Sequence, residues 1–430
     1  MMLHFPYHRE EISLRVPDDA IVYRSGYPRA AARADALVLD AVERPLGAEA
    51  LGAALARRRK GEVVIVVSDV TRPIAYTAFL PQLLRRIEDA GVPRDDLTIL
   101  VATGMHRPST AAEHIEMFGR DVPAMYRIVN HHSDCEAELA GLPGRSWSGS
   151  RVRLNKRFLA AGFRMITGLV EPHIFAGFSG GRKAVCPGLS SFDTLERFHG
   201  YEFIADPCAT NGVLEGNPLH RESLSIARMA GVDFSLNVVQ DKDRHVAAAF
   251  AGGLEEAHLA ACAFVARHAC PPVVREADVV VSSCGGYPLD ATFYQCVKGF
   301  TSCLPAVRRG GKVIAFGGCV EGIGSSVYAE TMFAYVGRWR AFLDHIRQPG
   351  VFIKDQWEFQ MHSRALEKAG ENHVRFVTGG IAPETLHRLS VNATYAPDDP
   401  TAALQRLVDA CVARGGTIAA VPEGPYCTPV

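Results

Sequence analysis

Three features that would assign this chain to a common class are missing from its 430 residues. Its eleven cysteines form no CxxC pair and no regular spacing, so a disulfide framework is not indicated and we expect reduced thiols. No apolar run approaches the roughly 20 residues that span a bilayer. Acidic and basic residues nearly balance at a formal net charge of −1, which argues against the basic surface of a nucleic-acid-binding protein.

Sorting signals and standard nucleotide motifs are missing as well. Residues 1–11 lack the cationic and apolar regions of a signal peptide, so we expect a soluble, cytoplasmic protein. The glycines at Gly322 and Gly324 do not complete the GxGxxG fingerprint of dinucleotide sites. The glycine turn at 177–183 does not complete a Walker motif either. A ligand site must therefore be sought in other patterns.

What the chain does contain is a repeated order of strand, polar loop and helix. Residues 62–67 and 97–102 are apolar runs typical of buried parallel strands, and helical spacing follows at 75–90 and 110–118. This order predicts an α/β fold with mostly parallel sheets flanked by helices. Pro271-Pro272 suggests a boundary between an N-terminal domain (1–270) and a C-terminal α/β domain (271–395). We expect a last helix, within about 396–430, to pack back on the first domain.

Reactive side chains follow three of the predicted strands of the first domain. Asp69 and Arg72 come after the strand at 62–67, and His106 comes after the strand at 97–102. His173 and Lys183 come after an apolar strand at 165–170. Ligands of parallel sheets bind outside the carboxyl ends of the strands, so these side chains should lie together. We expect the site in a cleft between the two domains.

The turn before Lys183 is rich in glycine. Ser179, Gly180 and Gly181 precede an adjacent Arg182 and Lys183. Glycine permits positive φ and a close approach of the backbone to a ligand, and consecutive N–H groups in such a turn can bind an anion. The plainer alternative is a tight surface loop with two solvated cations.

Taken together, these motifs resemble the nickel-pincer lactate racemase family. The matching segments follow in the same order over nearly the whole chain, without a departure at the positions that matter. They are SDVTRP (68–73), TGMHRP (103–108), GLVEPHIFAGFSGGRKAVCPG (168–188), HG (199–200), FYQCVK (293–298) and Trp357.

The resemblance implies an isomerase that racemises or epimerises a lactate-like 2-hydroxy acid by reversible hydride transfer at C2. The cofactor it implies is a nickel ion held by a pyridinium-3,5-bisthiocarboxylic acid mononucleotide, which separate enzymes build. Lys183 would tether it covalently, His199 would bind the nickel, and His106 and His173 would be the acid/base pair. The remaining positions would bind cofactor (Asp69, Thr71, Ser179, Gly180, Gly181) or substrate (Arg72, Tyr294, Gln295, Lys298, Trp357).

The residue types suit this chemistry independently of the resemblance. Side chains cannot accept hydride, so a cofactor must, whereas histidine can take and return a hydroxyl proton near neutral pH. An arginine fork suits a carboxylate. Three alternatives stay open: a zinc-dependent hydrolase or lyase with His106, His173 and His199 as ligands, a non-catalytic anion- or nucleotide-binding protein, and a racemase of a malate-like, aromatic or sugar acid. The sequence decides neither the substrate side chain nor the oligomeric state.

Overall fold

A computed structural model describes residues 1–27 and 33–430. The strands it contains are β1 (Met2–Tyr7), β2 (Glu10–Arg15), β3 (Ile21–Val22), β4 (Val63–Ser68), β5 (Leu97–Ala102), β6 (Arg127–Asn130), β7 (Leu139–Gly141), β8 (Arg153–Asn155), β9 (Phe163–Leu169), β10 (Pro172–His173), β11 (Gly177–Phe178), β12 (Phe234–Gln240), β13 (Val246–Gly252), β14 (Ala277–Ser283), β15 (Val307–Phe316), β16 (Val374–Thr378), β17 (Asn392–Tyr395) and β18 (Ile418–Val421).

The α-helices are α1 (Ala34–Glu43), α2 (Leu51–Ala56), α3 (Leu80–Asp89), α4 (Ala111–Phe118), α5 (Asp121–Met125), α6 (Lys156–Ala160), α7 (Phe192–Phe198), α8 (Tyr201–Ala205), α9 (Pro218–Ala230), α10 (Glu256–Ala269), α11 (Phe293–Ser302), α12 (Ser326–Ala334), α13 (Trp339–Ile346), α14 (Gln356–Ala369), α15 (Pro383–Leu386) and α16 (Pro400–Val412). Helix α3 begins later than the spacing predicts, because Pro81 lacks an N–H and is accommodated in the first helical turn.

The first domain is built on a six-stranded sheet in the order β13-β12-β9-β4-β5-β6. All neighbours are parallel except β12 and β13. The five valines and isoleucines of β4 are fully buried, as expected for a central strand that is covered on both faces. This order makes β9, β4 and β5 adjacent, so the loops that follow them leave the same edge of the sheet side by side.

The second domain is built on a parallel six-stranded sheet in the order β17-β16-β15-β14-β18-β3. The antiparallel hairpin of β1 and β2 covers part of one face, where Phe5 meets Phe316 at 5.6 Å between ring centroids. On the other face lie α11 and α14. Together the sheets confirm the predicted α/β class with two domains and mostly parallel strands.

The C-terminal segment differs from the expectation that it returns to the first domain. Helix α16 packs against β2 and β16, and its Leu404 and Val408 belong to the core formed with the hairpin. Strand β18 inserts between β14 and β3 in the second sheet. The physical reason is that β18 is buried along its whole length and needs a hydrogen-bonded neighbour on each side. Residues 400–421 therefore complete the second sheet.

None of the helices in the described part of the chain combines the length and apolar content required to cross a bilayer.

The hairpin is tied to the second domain by a buried carboxylate, which gives a test of the fold. Oδ2 of Asp290 accepts the backbone N–H of His8 at 2.7 Å and that of Gly318 at 3.0 Å. We expect Asp290→Ala to lower the free energy of unfolding by about 2–4 kcal/mol, since each buried N–H left unpaired costs roughly 1–3 kcal/mol. Denaturant unfolding measures this change.

Two control variants sharpen the measurement. Asp290→Asn keeps an oxygen acceptor and should lose less than half as much stability as Asp290→Ala. Asp398→Ala removes an exposed carboxylate and should leave stability unchanged. Equal stability of Asp290→Ala and the parent would show that the hairpin is held by apolar packing alone.

Candidate active site

A cavity of about 590 Å³ lies at the carboxyl ends of β4, β5 and β9 and is lined by side chains from both domains. It gathers residues that are far apart in the chain. Those predicted for the site that line it are Asp69, Thr71, Arg72, His106, His173, Ser179, Gly180, Lys183, His199, Tyr294, Gln295, Lys298 and Trp357. Of the predicted positions, Gly181 alone is absent from the lining.

Asp69, at the end of β4, orients His106, which follows β5. Oδ2 of Asp69 lies 2.6 Å from Nδ1 of His106, while Oδ1 accepts the hydroxyl of Thr71 at 2.6 Å. Burial raises the pKa of Asp69, but the His106 hydrogen bond and charge, then Thr71 and Arg72, outweigh burial and hold the pKa below its ordinary value. A carboxylate facing Nδ1 keeps the ring proton on that nitrogen, so Nε2 of His106 is free to accept a proton.

His173 and Lys183, which both lie in the loop that follows β9, contact each other. Nζ of Lys183 lies 3.2 Å from Nε2 of His173, and Nδ1 of His173 accepts the backbone N–H of Ala176 at 3.3 Å. Burial, followed by the Lys183 charge, lowers the pKa of His173 well below its ordinary value. Burial, followed by the Arg182 charge, lowers the pKa of Lys183 well below its ordinary value. Burial and the neighbouring cations therefore favour the neutral, nucleophilic form of the Lys183 amine at the cavity wall.

His199, at the C-terminal end of α7, presents one ring nitrogen to the cavity. Its Nδ1 donates to the carbonyl oxygen of Leu195 at 3.1 Å, which leaves a lone pair on Nε2. Burial, then the Lys183 charge, lowers the pKa of His199 to about 3, so the ring is neutral near pH 7. The indole of Trp357 lies over the ring at 4.5 Å between centroids. A neutral imidazole with a fixed tautomer is the form that binds a transition metal.

Two cations of the cavity lack ion-pair partners. Within residues 1–27 and 33–430, neither the Arg72 guanidinium nor the Lys298 ammonium has a carboxylate within 4.0 Å. Burial, then the Arg72 charge, lowers the pKa of Lys298 to about 8, although Glu358 acts in the opposite direction. Unpaired cations in a half-open cavity are suited to bind an incoming carboxylate or phosphate.

Glu358 is a buried site residue that sequence reasoning missed. It lines the cavity and is 2% exposed, and its Oε1 has no hydrogen-bond partner among the residues that the structure describes. Burial raises its pKa to about 8, and the neighbouring Lys298 charge lowers it in part. A glutamate in a helix is usually solvated, but residues 356–363 are all buried. The only sequence signal is the alternation of Trp, Phe and Met with polar residues, which leaves this stretch no polar face.

The glycine turn differs from an anion nest and from a solvated loop. The N–H of Gly181 donates to Oδ1 of Asn237 at 2.8 Å, and the N–H of Ser179 donates to the carbonyl of Glu171. These donors are used within the protein. Arg182 is 1% exposed and donates to the carbonyls of Phe178 and Ala176. The turn therefore positions Lys183 by internal hydrogen bonds. Gly181 contributes one of them without lining the cavity.

The three histidines proposed for zinc do not converge. Among the described residues, the one cluster whose ligand atoms all approach within 4.8 Å is Asp241, Asp243 and His245, which is mostly exposed and lies outside the cavity. His106 is instead paired with Asp69, and His173 with Lys183. The geometry gives no support to a preformed zinc site at these histidines.

The comparisons with known proteins agree over most of the chain. The family described as "Lactate racemase N-terminal domain" matches residues 7–212, and "Lactate racemase C-terminal domain" matches residues 273–425. The lactate racemase of Lactiplantibacillus plantarum is 33% identical over 403 residues, covering 92% of this chain and 93% of that protein. The lactate racemase of Thermoanaerobacterium thermosaccharolyticum is 36% identical over 370 residues, covering 85% of both.

Solved structures agree with the sequence comparisons. The lactate racemase apoprotein from Thermoanaerobacterium thermosaccharolyticum superposes with a TM-score of 0.88 at 31% identity and covers all of both chains. A Thermotoga maritima protein, at a TM-score of 0.66 and 16% identity over 93% of this chain and all of that one, shares the fold alone. With two family domains matched and relatives above 30% identity along nearly its full length, this chain belongs to the lactate racemase family and is an isomerase of the racemase type.

Proposed function

We propose that this enzyme racemises a lactate-like 2-hydroxy acid with a nickel-pincer nucleotide tethered to Lys183. One observation carries the proposal. The strand order β9-β4-β5 brings Arg72 from the middle strand, His173 from one flank and His106 from the other. A carboxylate held by Arg72 then has a proton-transfer group on each side. An enzyme that accepts both enantiomers requires that arrangement, because their hydroxyl groups point in opposite directions.

The residues of the cavity fit the proposed cofactor. Lys183 offers a buried amine for a covalent tether, and His199 offers a free Nε2 of the kind that suits nickel. Thr71, Ser179 and Gly180 line the same wall and would contact the nucleotide, together with Asp69. When bound, the group supplies an acceptor and donor of hydride at C2, which no side chain provides.

His106 is set up to move the hydroxyl proton on one side. Its Nδ1 faces the Asp69 carboxylate, so the imidazolium formed when Nε2 takes a proton is stabilised by an adjacent negative charge. The side chain is 56% exposed, which leaves it room to reach the substrate hydroxyl.

His173 moves the proton on the other side, and substrate binding prepares it. After burial, the charges of Lys183, Arg72 and Lys298 depress its pKa. A carboxylate bound between Arg72 and Lys298 offsets two of these charges and raises the pKa of His173 toward neutrality. His173 thus becomes an effective base only when substrate is in place. Gln295 and Trp357 complete the wall beside the substrate. A cytoplasmic location and dependence on separate cofactor-building enzymes belong to the same proposal.

The tether is tested by mass spectrometry of protein coproduced with the cofactor-making enzymes. We expect a nucleotide adduct on Lys183, and its loss together with racemase activity in Lys183→Ala. Lys156→Ala, which removes an exposed lysine, should keep both. Full activity of Lys183→Ala, or an adduct on the cavity residue Lys354, contradicts the proposed tether.

Replacement of His106 and replacement of His173 should block proton transfer for opposite enantiomers of the substrate. We expect His106→Asn and His173→Asn each to lower racemisation by about 10²–10⁴-fold, the usual contribution of a general acid or base. Rapid quenching should still trap 2-oxo acid from one enantiomer in each variant, and the two variants should use opposite enantiomers. His132→Asn, outside the cavity, serves as the control. Oxidation of the same enantiomer by both variants would refute the assignment of one histidine to each side.

The substrate KM should rise at alkaline pH. The folded-state pKa of Lys298 is lowered to about 8, so its positive charge is present below that pH and is lost as the pH rises through it. Deprotonation of Glu358, whose pKa is raised to about 8, acts in the same direction by adding negative charge. Steady-state KM measured between about pH 6 and about pH 9.5 tests this effect. The range stays below the ordinary lysine pKa of about 10.4, so that solvated lysines keep their charge.

Lys298→Arg and Glu358→Gln separate the two groups. A guanidinium does not deprotonate in this range, so Lys298→Arg should retain only the part of the rise that comes from Glu358. A KM that stays flat across the range in the parent enzyme would show that Lys298 does not hold the carboxylate.

A further inference from the structure

Helix α14, in the second domain, contacts the backbone of the segment that follows His199 in the first domain. Nε2 of Gln360 donates to the carbonyl of Tyr201 at 3.0 Å, and the Arg364 guanidinium donates to the carbonyl of Ala209 at 2.8 Å. Trp357, from the first turn of the same helix, packs on the His199 ring at 4.5 Å between centroids and 34° between planes, and Nε2 of Gln356 donates to the carbonyl of His199 at 3.5 Å. The position of His199 therefore depends on how the first turn of α14 is held.

A chain of hydrogen bonds that begins at the indole N–H holds Trp357 in place. Its indole Nε1–H donates to the Tyr294 hydroxyl oxygen at 3.1 Å, and the Tyr294 hydroxyl donates its proton to Oδ1 of Asp355 at 3.4 Å. The Ser325 hydroxyl donates to Oδ2 of Asp355 at 2.6 Å. A phenol has one proton, so the Tyr294 hydroxyl is committed to Asp355 and Trp357.

The backbone of Asp355 is itself unusual. Its φ is +63°, in the left-handed region that side chains other than glycine, asparagine and aspartate seldom adopt. It stands directly before α14, yet its carboxylate makes no capping hydrogen bond to that helix. The left-handed turn instead aims the carboxylate at Tyr294 and Ser325, at the wall of the cavity. Strained residues of this kind persist where surrounding contacts fix them, often beside a functional site.

We propose that Asp355 is a positioning residue that, through Tyr294, holds the Trp357 indole against His199 and so fixes the direction of His199 Nε2. Tyr294 then belongs to this chain of contacts, and its hydroxyl does not serve the substrate. The consequence for nickel binding rests on the proposed function, whereas the geometry of Trp357 and His199 does not.

The test uses the full-length apoprotein with 15N-labelled tryptophan, and Trp357→Phe identifies the indole N–H resonance of Trp357. Asp355→Gly removes the carboxylate and relaxes the positive φ. We expect it to shift this resonance and to speed its exchange with D₂O by about 3–10-fold, the range that the loss of one net hydrogen bond gives. Tyr294→Phe should do the same. The double variant should add little, because both changes break one chain of contacts.

Two further variants separate the carboxylate from the backbone. Asp355→Asn tolerates the left-handed conformation and keeps one oxygen acceptor, so it should restore at least half of the parent behaviour. Ser390→Gly relaxes another positive φ in the second domain (+51°) and should leave the Trp357 resonance unchanged. If Asp355→Gly leaves that resonance unchanged as well, the proposal is overturned.

Kinetics of the cofactor-loaded enzyme give the second readout. We expect Asp355→Gly and Tyr294→Phe to lower kcat while KM for the hydroxy acid changes less than twofold, because no substrate contact is removed. A raised KM with an unchanged kcat would assign Tyr294 to the substrate and overturn the proposal. A parent enzyme without racemase activity, together with the expected indole shifts, would refute the proposed function and leave the positioning role intact.

Discussion

The contact between Lys183 Nζ and His173 Nε2, at 3.2 Å, joins two buried groups whose charged forms are both disfavoured. Nδ1 of His173 faces backbone N–H groups, so Nε2 is the ring nitrogen that faces the amine. A hydrogen bond between these nitrogens needs a lone pair on one of them. Protonation of both groups would set two donors and two positive charges against each other. Burial disfavours both charged forms, and the hydrogen bonds of the glycine turn hold the loop that follows β9 over that strand, where this burial arises.

Other cations in and behind the cavity also lack carboxylate partners. Arg182 is buried with carbonyl oxygens as partners in place of a carboxylate, and Arg72 and Lys298 face the cavity without an ion pair in the part of the chain that the structure describes. Burying cations is unfavourable unless they are paired, so this arrangement favours the binding of anions. An anionic nucleotide and a substrate carboxylate would relieve that cost. Asp69 is hydrogen-bonded to His106 and does not pair with Arg72 or Lys298, so both cations stay available to a ligand.

The sequence predicted the elements that have local signals. The strand at 97–102 and its neighbours were recognised from continuous apolar runs, and their loops were expected to meet because parallel strands end at one edge. It did not predict β18, since four apolar residues have no periodicity and their pairing is decided by distant strands. Nor could it predict that His131 is buried between Asn155 and the carbonyl of Ser190. The sequence also did not predict the positions of Glu358 and Asp355 in the cavity wall, because the residues around them come from other parts of the chain.

The insertion of β18 between β14 and β3 has a consequence for synthesis on the ribosome. The strands of the first sheet lie between residues 63 and 252, so that domain can fold while the rest of the chain is still being translated. The second sheet must wait for residue 421 before β14 gains the neighbour that joins it to β3. During that interval β14 has an open edge, which is the kind of surface that pairs with other chains. Emergence of β18, and with it closure of this edge, is therefore the step at which chaperone protection would matter most.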